Sequence, residues 1–189
     1  MAYHNGKVYA GARLRDASSA ERIFADCDFT GCVFENIRLR QYEFEDCRFT
    51  GCVISQVFQS LTRMNDVTFR NCLLQGISFN ALAFPHSVSF YDCRLRYVDF
   101  IRLDLQKAEF INNAFKECAF EECNLKNSLF QDSTFSDCEF RQTNLTRCDF
   151  SDTEGLDLNP LINTLTDIKL PQTAGNRILK RMKIFISNP

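Results

Sequence analysis

Apolar side chains recur at every fifth position through most of this chain. Phe24, Phe29, Phe34, Leu39, Phe44, Phe49 and Ile54 open the row; Gln59 interrupts it; Met64, Phe69, Leu74, Phe79 and Phe84 resume it in phase. One extra residue beside Pro85 and His86 then shifts the register. Phe90, Leu95, Phe100, Leu105, Phe110, Phe115, Phe120, Leu125, Phe130, Phe135, Phe140, Leu145 and Phe150 complete the series. Among these centres only Gln59 is polar. A period of five matches neither the helical 3.6 nor the strand period of 2. It suits short extended segments joined by turns, each sending one side chain inward, and it predicts a repeat solenoid.

The cysteines obey the same period. Cys27, Cys32, Cys47, Cys52, Cys72, Cys93, Cys118, Cys123, Cys138 and Cys148 each stand two residues before a centre. Val67, Val88, Val98, Ala108, Ser128, Ser133 and Thr143 fill that slot elsewhere. The slot is therefore small and dry, and cysteine serves there as a small hydrophobe. Zinc sites need thiolates with histidine or further cysteine at their own spacings. Here the spacing is that of the repeat, and the two histidines are His4 and His86. Parallel stacked thiols suit a disulfide poorly. No metal, cofactor or catalytic residue is assigned. A filled rod has no pocket in which acid and base converge, which argues against an enzyme. The irregular places are Gln59 and the pair Pro85 and His86, each read as a bulge.

Runs such as CDFTG, CRFTG, CNLKN and TNLTR resemble the pentapeptide repeat proteins over about residues 22–152. The resemblance implies an all-β fold, a right-handed quadrilateral β-helix with four pentapeptides per coil. Residues 1–21 are then an N-terminal cap segment. Residues 153–189 form a C-terminal tail with a helical cap.

Four units per coil place centres twenty residues apart on one side of the rod. One side is all phenylalanine: Phe29, Phe49, Phe69, Phe90, Phe110, Phe130 and Phe150. The other sides start at Phe24, at Phe34 and at Leu39. Coils stacked at the strand spacing make a rod of about 31 Å, near nine base pairs of duplex in length.

Net charge is −2, with a mildly acidic body between mildly basic ends. That balance disfavours direct nucleic-acid binding by the body. The acidic residues gather on the all-phenylalanine side, where Asp28, Asp92, Glu109, Asp132, Asp149 and Asp152 face only Arg48 and Arg70. Asp26, Asp46 and Asp66 stand at the corner leading into it. The sides of Phe34 and Phe79 balance to zero. Aspartate is a good turn residue, which accounts for each one singly but not for their concentration.

The tail carries Pro160 before Leu161, Leu165 and Ile168, which predicts a helix start. Pro171 precedes a second apolar face of Ala174, Ile178, Leu179 and Met182, followed by the β-prone run Ile184, Phe185 and Ile186. An open solenoid end needs a cap. This tail exceeds that need, so Ile178, Leu179, Met182, Ile184 and Phe185 are assigned to dimerisation.

The stretches TEGLDLNP, PQTAGNRILKRM and LRYVDFIRLDLQKAEF resemble the gyrase-protecting members of the family, which counter microcins and quinolones. That resemblance implies a DNA-mimicking partner of DNA gyrase or a related type II topoisomerase, homodimeric through its C-terminal end. No long inserted loop of the kind some quinolone-resistance relatives carry is present. No apolar run has the length of a signal peptide or a membrane span, so a cytoplasmic location is expected. The second reading is an interaction scaffold whose partner is not a topoisomerase.

Overall fold

The unit of construction is about three extended residues and a corner residue with φ near +55°. In the computed structural model, which describes residues 2–14, 22–80 and 82–186, this unit winds into a four-sided solenoid of parallel ladders. Corner positions such as Asp26, Asn36, Asp46, Asn71 and Asn127 have φ between 49° and 60°. Asn and Asp tolerate this left-handed region best after Gly, which explains their abundance there.

Stacking follows the twenty-residue register: Phe29 lies against Phe49, Phe34 against Ile54, and Phe100 against Phe120. The one-residue slip is absorbed before Val88, because Val67 pairs with Val88 and Phe69 with Phe90. The rings of Phe29, Phe49, Phe69, Phe90, Phe110, Phe130 and Phe150 stack with centroids 4.5–5.4 Å apart. Phe100, Phe120 and Phe140 meet that column edge-on. Stacked and edge-to-face pairs both suit the ring quadrupole, and each buried ring contributes roughly 1.5–3 kcal/mol.

All ten cysteines are free thiols, nine of them buried and Cys138 half-buried. The nine buried sulfurs donate to carbonyls of the neighbouring coil, as Cys47 does to Phe24 at 3.3 Å and Cys52 to Phe29 at 3.2 Å, and Cys138 donates to Ser136 in its own coil. Ser128, Ser133 and Thr143 make the same bond with hydroxyls, at 2.7–3.0 Å. Burial pushes the Cys148 thiol up to about 12 and Cys123 up to about 11, so both stay protonated at neutral pH.

The winding extends beyond the repeats read from the sequence at both ends. Residues 2–14 pair in register with the first repeat coil, with His4 on Phe24, Tyr9 on Phe29 and Leu14 on Phe34. Residues 15–21 of the segment read as an N-terminal cap lie outside the described residues. At the other end Glu154 bridges to Thr134, Thr164 to Asn144 and Lys169 to Asp149. The helix expected after Pro160 is replaced by this further coil. Asn163 holds it down, accepting from the Thr143 N–H at 3.0 Å and donating to the Phe140 carbonyl at 2.8 Å. Gly155 is exposed at φ 75°, where a Cβ would lie 1.9 Å from the Phe135 carbonyl oxygen, and the buried Leu156 and Leu158 fill the core in place of a regular centre.

Helix α1, Gln172–Arg181, begins after Pro171 and closes the end of the core. Ala174 is buried and Ile178 packs on the core, while Arg177 donates to the Leu156 carbonyl at 2.8 Å. Residues 184–186 are not a strand, contrary to the β-prone reading.

Phe84 departs from the pattern most. It is 76% exposed, and Leu82 packs against the core near its place, bridged to Thr62. The extra residue is taken up here, between two ladders that keep their register.

Candidate functional site

A corner residue points away from the axis, and the residues flanking each centre point out from a flat side. This alternation sets nine carboxylates around the side of the Phe29 column. Asp26, Asp46 and Asp66 hold one edge in successive early coils; Asp92, Asp132 and Asp152 hold the opposite edge later in the rod. Asp28, Glu109 and Asp149 lie on the flat between them, each half-buried. The first edge continues beyond Asp66 through Ser87, Lys107, Asn127 and Arg147, and the second begins with Gly31, Gly51 and Asn71. The carboxylates therefore cross the side obliquely, changing edges near the middle of the rod.

Several are neutralised from within. Arg48 donates to Asp28 at 2.6 Å and to Asp26 at 3.3 Å. Lys169 meets Asp149 at 2.8 Å, and with Ser151 it holds that carboxyl below the ordinary range against the opposing effect of burial, the largest single influence. The Tyr91 hydroxyl donates to Glu109, and Arg70 lies 3.9 Å over the Tyr91 ring. Asn112 donates to Asp92 at 2.7 Å, and Ser87 to Asp66 at 2.8 Å. Asp46, Asp132 and Asp152 are exposed and make no ion pair or side-chain hydrogen bond among the described residues. Sequence counting missed Lys169 because the repeats were taken to end near Asp152.

The irregular positions do not assemble into a reactive site. Gln59 stacks by its backbone on Leu39, and its side chain lies outside the described residues. Pro85 is exposed. His86 is half-buried, and its Nε2 accepts the Asp104 N–H at 3.1 Å. The imidazole thus supplies an acceptor where the slip interrupts the ladder, and burial lowers its pKa. No cluster of three metal-ligating side chains occurs among the described residues.

At the C-terminal end, Leu179, Ile184, Phe185 and Ile186 line one hollow of about 410 Å³. Phe185 is 83% exposed and Met182 is exposed beside the helix end. Ile178 is turned to the rod, so of the five residues assigned to dimerisation it belongs to the cap. No helix among the described residues is long and apolar enough to cross a membrane.

A model of the pentapeptide repeat region matches residues 22–100 and 88–158. The chain belongs to the pentapeptide repeat family. Among its pentapeptide repeat relatives, it is 52% identical to protein McbG of Escherichia coli over 179 residues, covering 92% of this chain and 96% of that protein. Among solved structures it shares its fold with QnrB1, a plasmid-mediated fluoroquinolone resistance protein. That match has a TM-score of 0.71 at 18% identity and covers the whole of both chains. HetL, a pentapeptide repeat protein involved in heterocyst differentiation regulation in the cyanobacterium Nostoc, matches with a TM-score of 0.52 at 12% identity. It covers 89% of this chain and 86% of that one.

Proposed function

We propose that this pentapeptide repeat protein is a non-enzymatic DNA mimic that binds DNA gyrase, or a related type II topoisomerase, and protects it from a poison such as a microcin or a quinolone. The observation that carries the reading is the oblique row of carboxylates on a rigid, filled rod. Duplex DNA presents one negative charge per about 1.7 Å of axis along a groove that also runs obliquely. Basic residues that normally meet phosphates would meet Asp46, Asp132 and Asp152, the carboxylates of this side with no side-chain partner among the described residues. Likeness to McbG over nearly the full length, and a fold shared with a fluoroquinolone resistance protein, support the same assignment. Protection follows from displacing DNA or poison from the trapped complex. The rod works in the cytoplasm, as a homodimer joined through the tail, without binding nucleic acid directly.

The decisive experiment is a gyrase supercoiling assay with a quinolone or a peptide poison, titrating the rod. The protein should restore supercoiling. The triple variant Asp46→Lys, Asp132→Lys, Asp152→Lys should need at least about tenfold more protein for the same effect, with an unchanged melting curve. Lysine is sterically admissible at such corners, as Lys107 shows with φ 61°. Unimpaired protection by the folded variant would remove the acidic side from the mechanism. Failure of the unmodified protein would favour a scaffold with another partner.

A further inference from the structure

The side of the rod opposite the carboxylates, that of Leu39, Phe79, Phe100, Phe120 and Phe140, breaks a rule that the described corners keep elsewhere. Among the described corner residues with positive φ, all are Gly, polar or charged except Leu61 and Tyr97, both at φ 54°. Both lie at the edges of this one side, 59% and 49% exposed. Placing bulky apolar groups in the left-handed region and in water is costly twice over. Phe58 adds a third exposed apolar group, 64% exposed on the flat between those edges.

Between Phe58 and Tyr97 lies a hollow of about 420 Å³ floored by Gly76, Ser78 and Asn80 and bordered by Asp99. Its form follows from the coil order. Phe58 belongs to the coil before the floor, and Tyr97 and Asp99 to the coil after it. The rims are thus two strand spacings apart, about 10 Å, which leaves room for one extended chain. Gly76, at φ 61°, interrupts the corner row between Gln56 and Tyr97 and opens the floor beneath the ring.

The charge at this hollow is unbalanced. Asp99 is half-buried, and its side chain makes no ion pair or hydrogen bond among the described residues. Burial, and then Glu121 in the next coil, hold its carboxyl above the ordinary range. On this side Arg102 pairs with Glu122 and Arg141 with Glu139, and neither pairs with Asp99. A half-buried carboxylate between aromatic walls is complementary to a cation on an apolar stem, which can stack on the rings and pair with the acid.

We propose that the hollow between Phe58 and Tyr97 docks an extended segment of a partner protein that presents a lysine or arginine to Asp99 beside an apolar side chain. This surface faces away from the carboxylate row, and the assignment stands whether or not a topoisomerase is the partner there.

The test uses the full chain, isotopically labelled, and a short capped peptide alternating leucine and arginine, followed by backbone amide shifts. Saturable shifts should centre on Gly76, Ser78, Tyr97 and Asp99. Asp99→Asn should weaken binding about tenfold, as expected for a lost charge-assisted hydrogen bond. Phe58→Ser with Tyr97→Asn should abolish localised binding at an unchanged melting temperature. Should that pair impair folding, Asp99→Asn and a leucine–glutamate peptide, expected not to bind, still decide the matter. Four results would overturn the assignment: shifts centred on Asp46 and Asp132, insensitivity to Asp99→Asn, tighter binding of a single-stranded oligonucleotide at the hollow, or a change in sedimentation of the Phe58 and Tyr97 variant, which would mark a contact between copies.

Discussion

At the scale of the residue, the rod is a stack in which each centre is enclosed by its equivalents one coil above and below. Phe90 and Phe110 are fully buried, with stacked neighbours on both faces. Their surroundings are held by paired backbone and cannot collapse into a void. Phe90→Ala should therefore cost about 3–5 kcal/mol, read as a fall in unfolding midpoint, whereas Phe84→Ala, on the outside, should cost almost nothing. His86 gives a different kind of prediction. Its Nε2 accepts a backbone N–H and its pKa lies below 6.5, so the unfolded chain takes up the proton first. Its stabilising effect is complete above that pH and is lost as pH falls through the depressed value. His86→Asn should lower stability at pH 7.5 and narrow the gap to the unmodified protein at pH 5.5, measured by chemical denaturation at both pH values. Phe84 also shows where residue-level reading stops. The period assigned it to the core, but the extra residue beside it had to leave the winding somewhere, and only the structure shows that Phe84 was put outside.

At the scale of the element, the period of five made the coils legible because every regular centre is a large apolar group. It failed at the two ends for one reason: the end coils are only half enclosed. His4 and Tyr9 stack on Phe24 and Phe29 as centres of an opening coil, and at the closing end Gly155 is exposed while Leu156 and Leu158, out of phase with the period, are buried in its place. A centre with one neighbour need not be apolar. The carboxylate positions were readable from the same period. Arg48 is legible on the same side, one coil from Asp28, but Lys169 is not, because the pattern after Pro160 reads as helix rather than as the coil that sets it on Asp149. The C-terminal helix ends in a Schellman arrangement: Lys183 has φ 61° and donates to the Lys180 carbonyl, and Ile184 donates to that of Leu179 at 2.9 Å. Such an ending brings the residue after the turn back over the helix. It gathers Leu179, Ile184 and Phe185 into one exposed apolar surface. Ile184→Ser with Phe185→Ser should convert a 44 kDa-class dimer to a monomer of 21.9 kDa in light scattering, without altering the melting of the rod. A monomeric unmodified protein would refute the dimer.

At the scale of the whole molecule, the side of Phe29 carries nine rungs, from Val8 through Asp28 and Asp149 to Lys169. Eight spacings make a rod of about 38 Å, longer than the sequence implied, and comparable with about eleven base pairs. Two rods joined at their helical ends would approach two turns of duplex. The molecule also has two contrasting sides, with the exposed Asp46, Asp132 and Asp152 on one and Phe58, Leu61 and Tyr97 on the opposite one. Attraction through the charged side should weaken steeply with salt, and docking through the apolar side should not.

The parallel register has one more consequence. Each ladder contact joins residues about twenty apart, so a coil has every partner it needs once the next twenty residues have been synthesised. The growing end always meets a finished template, and order of translation and order of stacking coincide. The helix that seals the core leaves the ribosome after every coil it covers, and until it does the newest coil remains an open edge.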